Sequence, residues 1–151
     1  MSPVPAKPSL PSPLDDYALD DQVGFRLRLA MQRHTAIFFA HMDTDLTQTQ
    51  FAVLARLWEA GDCSQNELGR LAAIDSATIW GVVRRLQAAG LVDTEAHPSD
   101  RRRLSVSLTR DGRRLVEGAI EKAARSNEET LAPLTPAERT TLIRLLRKLS
   151  D

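Results

Sequence analysis

The sequence predicts a mainly α-helical chain of six helices with one small β-hairpin set between the fourth and the fifth. Three observations predict it. A proline-free stretch from Tyr17 to Met42 carries apolar groups at helical spacing. Five later helical patterns each follow a Ser, Thr or Asp placed as a helix cap. One segment, Arg103–Leu108, alternates polar and apolar residues, which is the period of a strand.

Residues 1–14 hold five of the eight prolines and read as a disordered tail. The first helix sets Val23, Leu27, Ala30, His34, Ile37, Phe38 and His41 near one face. About 25 residues of helix span roughly 37 Å, long enough to pack against a second chain. Thr47 to Gln50 and Ser64 to Glu67 are spaced as capping boxes. In such a box the hydroxyl accepts the third helical N–H, while Gln or Glu reaches back to the cap N–H. Gly61 closes the second helix. Asp75 caps the fourth, with Ile79, Val82, Val83 and Leu86 on one face and Gly90 as its stop. Leu91–Glu95 and Arg103–Leu108 are the expected strands, joined through His97-Pro98-Ser99-Asp100, with Leu104, Val106 and Leu108 facing inward. Thr109 caps a long helix running to about Thr130. Thr135-Pro136-Ala137-Glu138 opens the last helix, which carries Leu142, Leu145, Leu146 and Leu149.

A chain of 151 residues suits one domain, and 42% hydrophobic with 26% charged residues is the balance of a globular protein. No apolar run approaches the roughly 18 residues of a membrane span. The proline-rich start lacks the apolar segment of a secretory leader. One cysteine excludes an internal disulfide and suits a reducing cytoplasm. Net charge is zero, yet Arg101, Arg102, Arg103, Arg110, Arg113 and Arg114 fall within 14 residues. Such a cluster is either a solvated face or an electrostatic footprint for nucleic acid. No GxSxG, HExxH, phosphate-binding glycine loop or paired-carboxylate pattern gives an enzyme a residue to start from.

Ser64–Leu71, a turn through Ala72-Ala73-Ile74, and a helix over 75–89 have the spacing of a helix-turn-helix, and the hairpin directly after it makes a winged version. The stretches LTQTQFAVL, SQNELGRLAAIDSATIWGVVRRLQAAGLV and HPSDRRRLSVSLTRDGRRL resemble the MarR regulators over Leu46–Arg114. The resemblance implies one MarR-like domain over 15–151. In it, helices within 15–45 and 110–151 interleave two copies of the chain, and 46–109 forms a DNA-binding lobe. The implied partner is a pseudo-palindromic DNA operator. No cofactor is implied, but a small aromatic effector is, held between the dimer region and the lobes and weakening DNA binding. The stretch YALDDQVGFRLRLAMQRH is similar, more loosely, to family members that repress nicotinate catabolism, which implies a hydroxylated pyridine carboxylate.

The expected DNA contacts fall on the recognition helix, 75–89, and the wing, 95–103. Ser76, Ala77, Thr78 and Trp80 are exposed at the start of the recognition helix, facing a major groove where base edges are distinguishable. Ser64 and Gln65 open the helix before it. Trp80 either touches a thymine methyl or is partly buried. Arg84 and Arg85 lie farther along and reach phosphate. Many family members carry an arginine where this chain has Gly81, so the resemblance does not settle which residues read bases. In the wing, Arg102 reaches a minor groove, Asp100 can hold its guanidinium, and Arg101 and Arg103 flank it on phosphate.

For the effector, Tyr17, Phe25, Arg26, Arg33 and His34 on the first helix, with Phe51 and Trp58 on the second, offer arginine forks, an imidazole and flat walls. The competing reading makes these interface or core residues. Cys63 is an ordinary loop residue unless the helix start beside it lowers its thiol pKa for redox sensing. His34 and His41, with Asp43 or Glu59, would make a metal site, although no Cys/His cluster shows zinc spacing. A protein-binding winged helix is the remaining class, and three consecutive wing arginines speak against it.

Overall fold

The computed structural model describes residues 12–151, apart from the side chain of Arg101. The expected disordered tail, 1–14, lies almost wholly outside the described residues. By contacts the chain forms two units, one ending at Arg33 and one spanning His34–Asp151.

In the first unit a 3-10 turn, Leu19–Asp21, precedes the start of α1 (Val23–His41), whose residues from His34 on belong to the second unit. The helix therefore has 19 residues and starts later than its proline-free stretch suggests. Gln22 is extended, with φ −78° and ψ 131°, and the acidic residues before it offer no apolar stripe to bury. Arg26 donates its Nε–H to the Asp20 carbonyl and ties turn to helix. The expected inner face of α1 is mostly uncovered: Val23 and Leu27 are exposed, and only Ile37 and Phe38 are buried.

In the second unit α2 (Gln48–Ala60), β1 (Cys63–Ser64), α3 (Gln65–Leu71), α4 (Ser76–Ala88), β2 (Val92–His97), β3 (Asp100–Leu108), α5 (Arg110–Leu131) and α6 (Pro136–Ser150) follow. Thr47 and Thr135 form complete capping boxes with Gln50 and Glu138. Ser64 forms half of one: its hydroxyl accepts the Glu67 N–H at 3.2 Å, but the Glu67 carboxylate turns to Arg70 instead. The strands form an antiparallel sheet in the order β1-β3-β2. Cys63 pairs with Val106 and Ser64 with Ser105, so Cys63 is a strand residue rather than a loop residue. The hairpin is longer than expected, and Leu104 is exposed instead of inward. Val106, two residues on, is fully buried.

One core joins α2 to α5 and the sheet: Leu54 and Leu57 of α2, Leu68 of α3, Ile79, Val83 and Leu86 of α4, Val92 and Val106 of the sheet, and Val116 of α5. Each such side chain contributes roughly 1.5–3 kcal/mol by leaving water. Two glycines let elements cross. A Cβ on Gly69 would stand 3.0 Å from the Ile74 carbonyl oxygen and 3.2 Å from Ile79 Cγ2, so α4 folds back closely over α3. A Cβ on Gly112 would stand 1.9 Å from the Leu91 carbonyl oxygen. There the Thr109 hydroxyl donates to the Gly90 carbonyl at 2.7 Å and accepts the Gly112 N–H at 3.0 Å. Thr109 and Gly112 thus lock the start of α5 to Gly90 and Leu91, the residues that lead into β2. Among the described residues no helix is long and apolar enough to cross a membrane.

Candidate nucleic-acid interface

The helix-turn-helix is built from local chemistry. Ala73, at φ 55°, makes the turn, and the Ile74 N–H bonds the Gly69 carbonyl at 2.8 Å. The Asp75 carboxylate then accepts both the backbone N–H and the hydroxyl of Thr78, each at 2.8 Å. These bonds, the backbone one first, hold its pKa below the usual carboxylate value. The Thr78 hydroxyl proton is therefore engaged, and only its acceptor side remains open.

Beyond this cap Ser76, Ala77, Thr78 and Trp80 are exposed, while Ile79, Val82, Val83 and Leu86 anchor α4 to the core. Trp80 is 51% exposed. The Arg84 guanidinium carbon lies 4.7 Å from the Trp80 ring centroid, a cation–π contact. A groove of about 410 Å³ between α4 and the wing brings Gln65, Trp80, Arg84, Thr94 and Leu104 together. A smaller crevice of about 50 Å³ joins Ser64, Gln65 and Asn66 to Arg102 and Arg103. Residues from the start of α3, from α4 and from the wing thus meet along one surface.

In the wing, Asp100 does not hold the Arg102 guanidinium. Its Oδ1 accepts the Arg102 backbone N–H at 3.0 Å, the usual reach of an aspartate two residues upstream in a turn. The guanidinium makes no ion pair among the described residues. His97 staples the turn from the other side, its Nδ1 lying 2.8 Å from the Ser99 hydroxyl. Sequence reasoning missed this role; a histidine two residues before a turn serine is the signal. Arg102 and Arg103 are exposed.

The proposed effector residues divide between the two units. Tyr17 is exposed, Phe25 is half-buried, and Arg26 holds the Asp20 carbonyl. In the second unit His34 Nδ1 lies 2.8 Å from the Thr130 hydroxyl, Phe51 packs on Phe38 with centroids 5.7 Å apart, and the Trp58 indole N–H donates to the Glu117 carboxylate at 3.2 Å.

The metal and redox alternatives lose their residues. His41 pairs with Glu129 at 2.5 Å, Glu59 with Arg56 at 2.8 Å, and Asp43 with Lys122. The Cys63 thiol is pushed up by burial and by the charges of Glu67 and Asp62, the opposite of the activation that redox sensing needs.

Residues 46–104 match the MarR family. The HTH-type transcriptional repressor NicR of Pseudomonas putida is 42% identical over 151 aligned residues, covering 97% of this chain and 96% of NicR. The chain belongs to the MarR family. The likeness to NicR extends over nearly the whole chain, well beyond the first helix. Among solved structures, BpsR of Bordetella bronchiseptica superposes with a TM-score of 0.85 at 45% identity, covering 89% of this chain and 97% of BpsR. That structure concerns regulation of BpsR DNA binding by 6-hydroxynicotinic acid. PcaV of Streptomyces coelicolor, in complex with its natural ligand, gives 0.85 at 31% identity, covering 89% and 96%. This MarR-family chain is a winged-helix transcriptional regulator, which replaces the protein-binding reading.

Proposed function

We propose that this MarR-family chain is a homodimeric repressor that grips a pseudo-palindromic operator and releases it when a small aromatic acid binds. One observation carries the DNA part: Ser64, Gln65, Trp80, Arg84, Arg102 and Arg103 line adjoining crevices on one surface. Asp100 supports it by bonding the wing backbone, which leaves Arg102 available to a minor groove. Ser76, Ala77 and Thr78 enter the major groove, and Arg85, Arg101 and Arg103 add phosphate contacts.

The dimer rests on unpartnered apolar faces. No residue of α6 is buried, and Ile143, Leu145, Leu146 and Leu149 are exposed. Exposed apolar stripes of this kind mark protein contacts. Helices within 15–45 and 110–151 therefore join two copies in the cytoplasm, and 46–109 forms each lobe. Two recognition helices must stand about 34 Å apart to meet successive major grooves. An effector that prefers another spacing shifts the population away from the DNA-bound state. Its candidates are Tyr17, Phe25, Arg26 and Arg33 in the first unit and His34, Phe51 and Trp58 in the second. The likeness to BpsR points to a hydroxylated nicotinate.

A gel-shift titration on the DNA upstream of the chain's own gene, with and without 6-hydroxynicotinate and salicylate, tests this. The expected result is specific binding, released by 6-hydroxynicotinate. Absence of specific binding at low salt overturns the repressor reading; specific binding indifferent to both acids overturns only the effector.

A further inference from the structure

The first turns of α4 present apolar groups where a base-reading helix would present donors. Ile79, Val82, Val83 and Leu86 turn inward. Ala77 and Gly81 therefore occupy the opposite, outermost line of the helix, with Trp80 beside them. Ala77 is exposed, and half of the Trp80 surface is open to solvent. The Thr78 hydroxyl, which could have donated to a base, donates to the Asp75 carboxylate at 2.8 Å.

None of the residues 76–81 carries a cation. The cations come one turn later. The Arg84 guanidinium carbon lies 4.7 Å from the Trp80 ring centroid, and Arg85 Nη1 lies 3.6 Å from where a Cβ on Gly81 would stand. Guanine is read best by the fork of an arginine or by a lysine, whereas thymine presents a 5-methyl group that small apolar and aromatic side chains contact. Gly81 adds a second condition. A residue without a side chain lets the backbone come close to a ligand, so α4 can sit deep enough for the indole to reach a methyl.

We propose that Ala77 and Trp80 read thymine 5-methyl groups in the major groove, and that Arg84, stacked on the indole, is steered to the adjoining phosphate. The half-site is then chosen by apolar contact at its centre and held by charge at its edge. The inference rests on the operator reading above and names the bases that the recognition helix meets.

The test uses the full chain and the operator footprinted upstream of its own gene, with affinity read by fluorescence anisotropy. Each thymine of the half-site is replaced in turn, in both half-sites at once, by deoxyuridine. This removes the 5-methyl and leaves the base pairing and the O4 acceptor in place. At two steps of the half-site the loss of one buried methyl should weaken binding about fourfold, and about fifteenfold for the two half-sites together. Trp80→Ala should abolish the sensitivity at one of these steps and Ala77→Gly at the other. Both positions are exposed, and circular dichroism verifies that each variant folds; the deoxyuridine series on the wild type needs no variant at all. If the wild type binds its operator specifically and no deoxyuridine weakens it, the methyl reading is overturned and the operator reading stands. Sensitivity that persists unchanged in both variants would assign the methyls to DNA shape rather than to these side chains, and also overturns it. If the wild type shows no specific binding at low salt, both readings fall.

Discussion

Arg102 and Asp75 are exposed polar residues with opposite tasks. Arg102 stands at the wing tip with no ion pair among the described residues, so nothing in the fold depends on its charge. Arg102→Ala should weaken operator binding by at least about 1 kcal/mol, some fivefold, at unchanged melting temperature. An anisotropy titration beside a thermal melt reads both; unchanged affinity would make the wing a structural feature only. Asp75 works for the fold. Its folded pKa, like that of Asp43 beside Lys122, is held below the ordinary value. As pH falls the unfolded chain takes up protons first, so both carboxylates stabilise the protein above the ordinary value of 3.8. That stabilisation is lost as pH drops through the lower folded values. Asp75→Asn keeps a capping side chain but cannot titrate. Urea midpoints from pH 7 to pH 2 should fall less steeply at the acid end for the variant; superimposable curves would show that Asp75 contributes nothing to acid unfolding.

Elements were legible in the sequence where their cause is local. Thr47, Asp75, Thr109 and Thr135 cap the helices that their spacing announces, because a cap and its first turn lie within four residues. What depends on distant partners was not legible. The two-residue β1 exists only because Val106 and Ser105, some forty positions away, complete its bonds. The start of α1 moved to Val23 because Gln22 is extended, which hydrophobic period does not report. Within the interface, the exposed turn of α4 was readable from its buried face. The Arg84–Trp80 contact and the Asp100 backbone bond were not, since each depends on a rotamer. Nothing local in the sequence marks the role of Gly112, which is steric. Gly112→Ala forces a methyl onto the Leu91 carbonyl and should cost about 3 kcal/mol, the upper end of overpacking. Gly118→Ala, on the same helix with nothing within 4 Å, should instead stabilise by about 0.5–1 kcal/mol. Paired thermal melts decide; equal shifts would mean that the joint at the start of α5 yields freely.

At the scale of the whole molecule, the 20 basic and 20 acidic residues cancel, so bulk charge cannot draw this protein to DNA. Attraction has to come from cations gathered in one place, and each cation that neutralises a phosphate releases condensed counterions. The logarithm of the affinity then falls with the logarithm of salt concentration by about 0.9 for every phosphate met on duplex DNA. Arg103 is exposed where the wing meets the start of α3, and it is proposed to sit on phosphate. The proposed homodimer would bring two copies of it to one operator. Arg103→Ala should therefore reduce the salt slope by about 1.8, twice 0.9, while the midpoint of dimer dissociation in sedimentation stays unchanged. A reduction near 0.9 would mean that one wing of the pair is unengaged or that a single chain binds. No reduction would take Arg103 off the phosphate backbone altogether, and the basic cluster of the wing would then owe its place to solvation rather than to DNA.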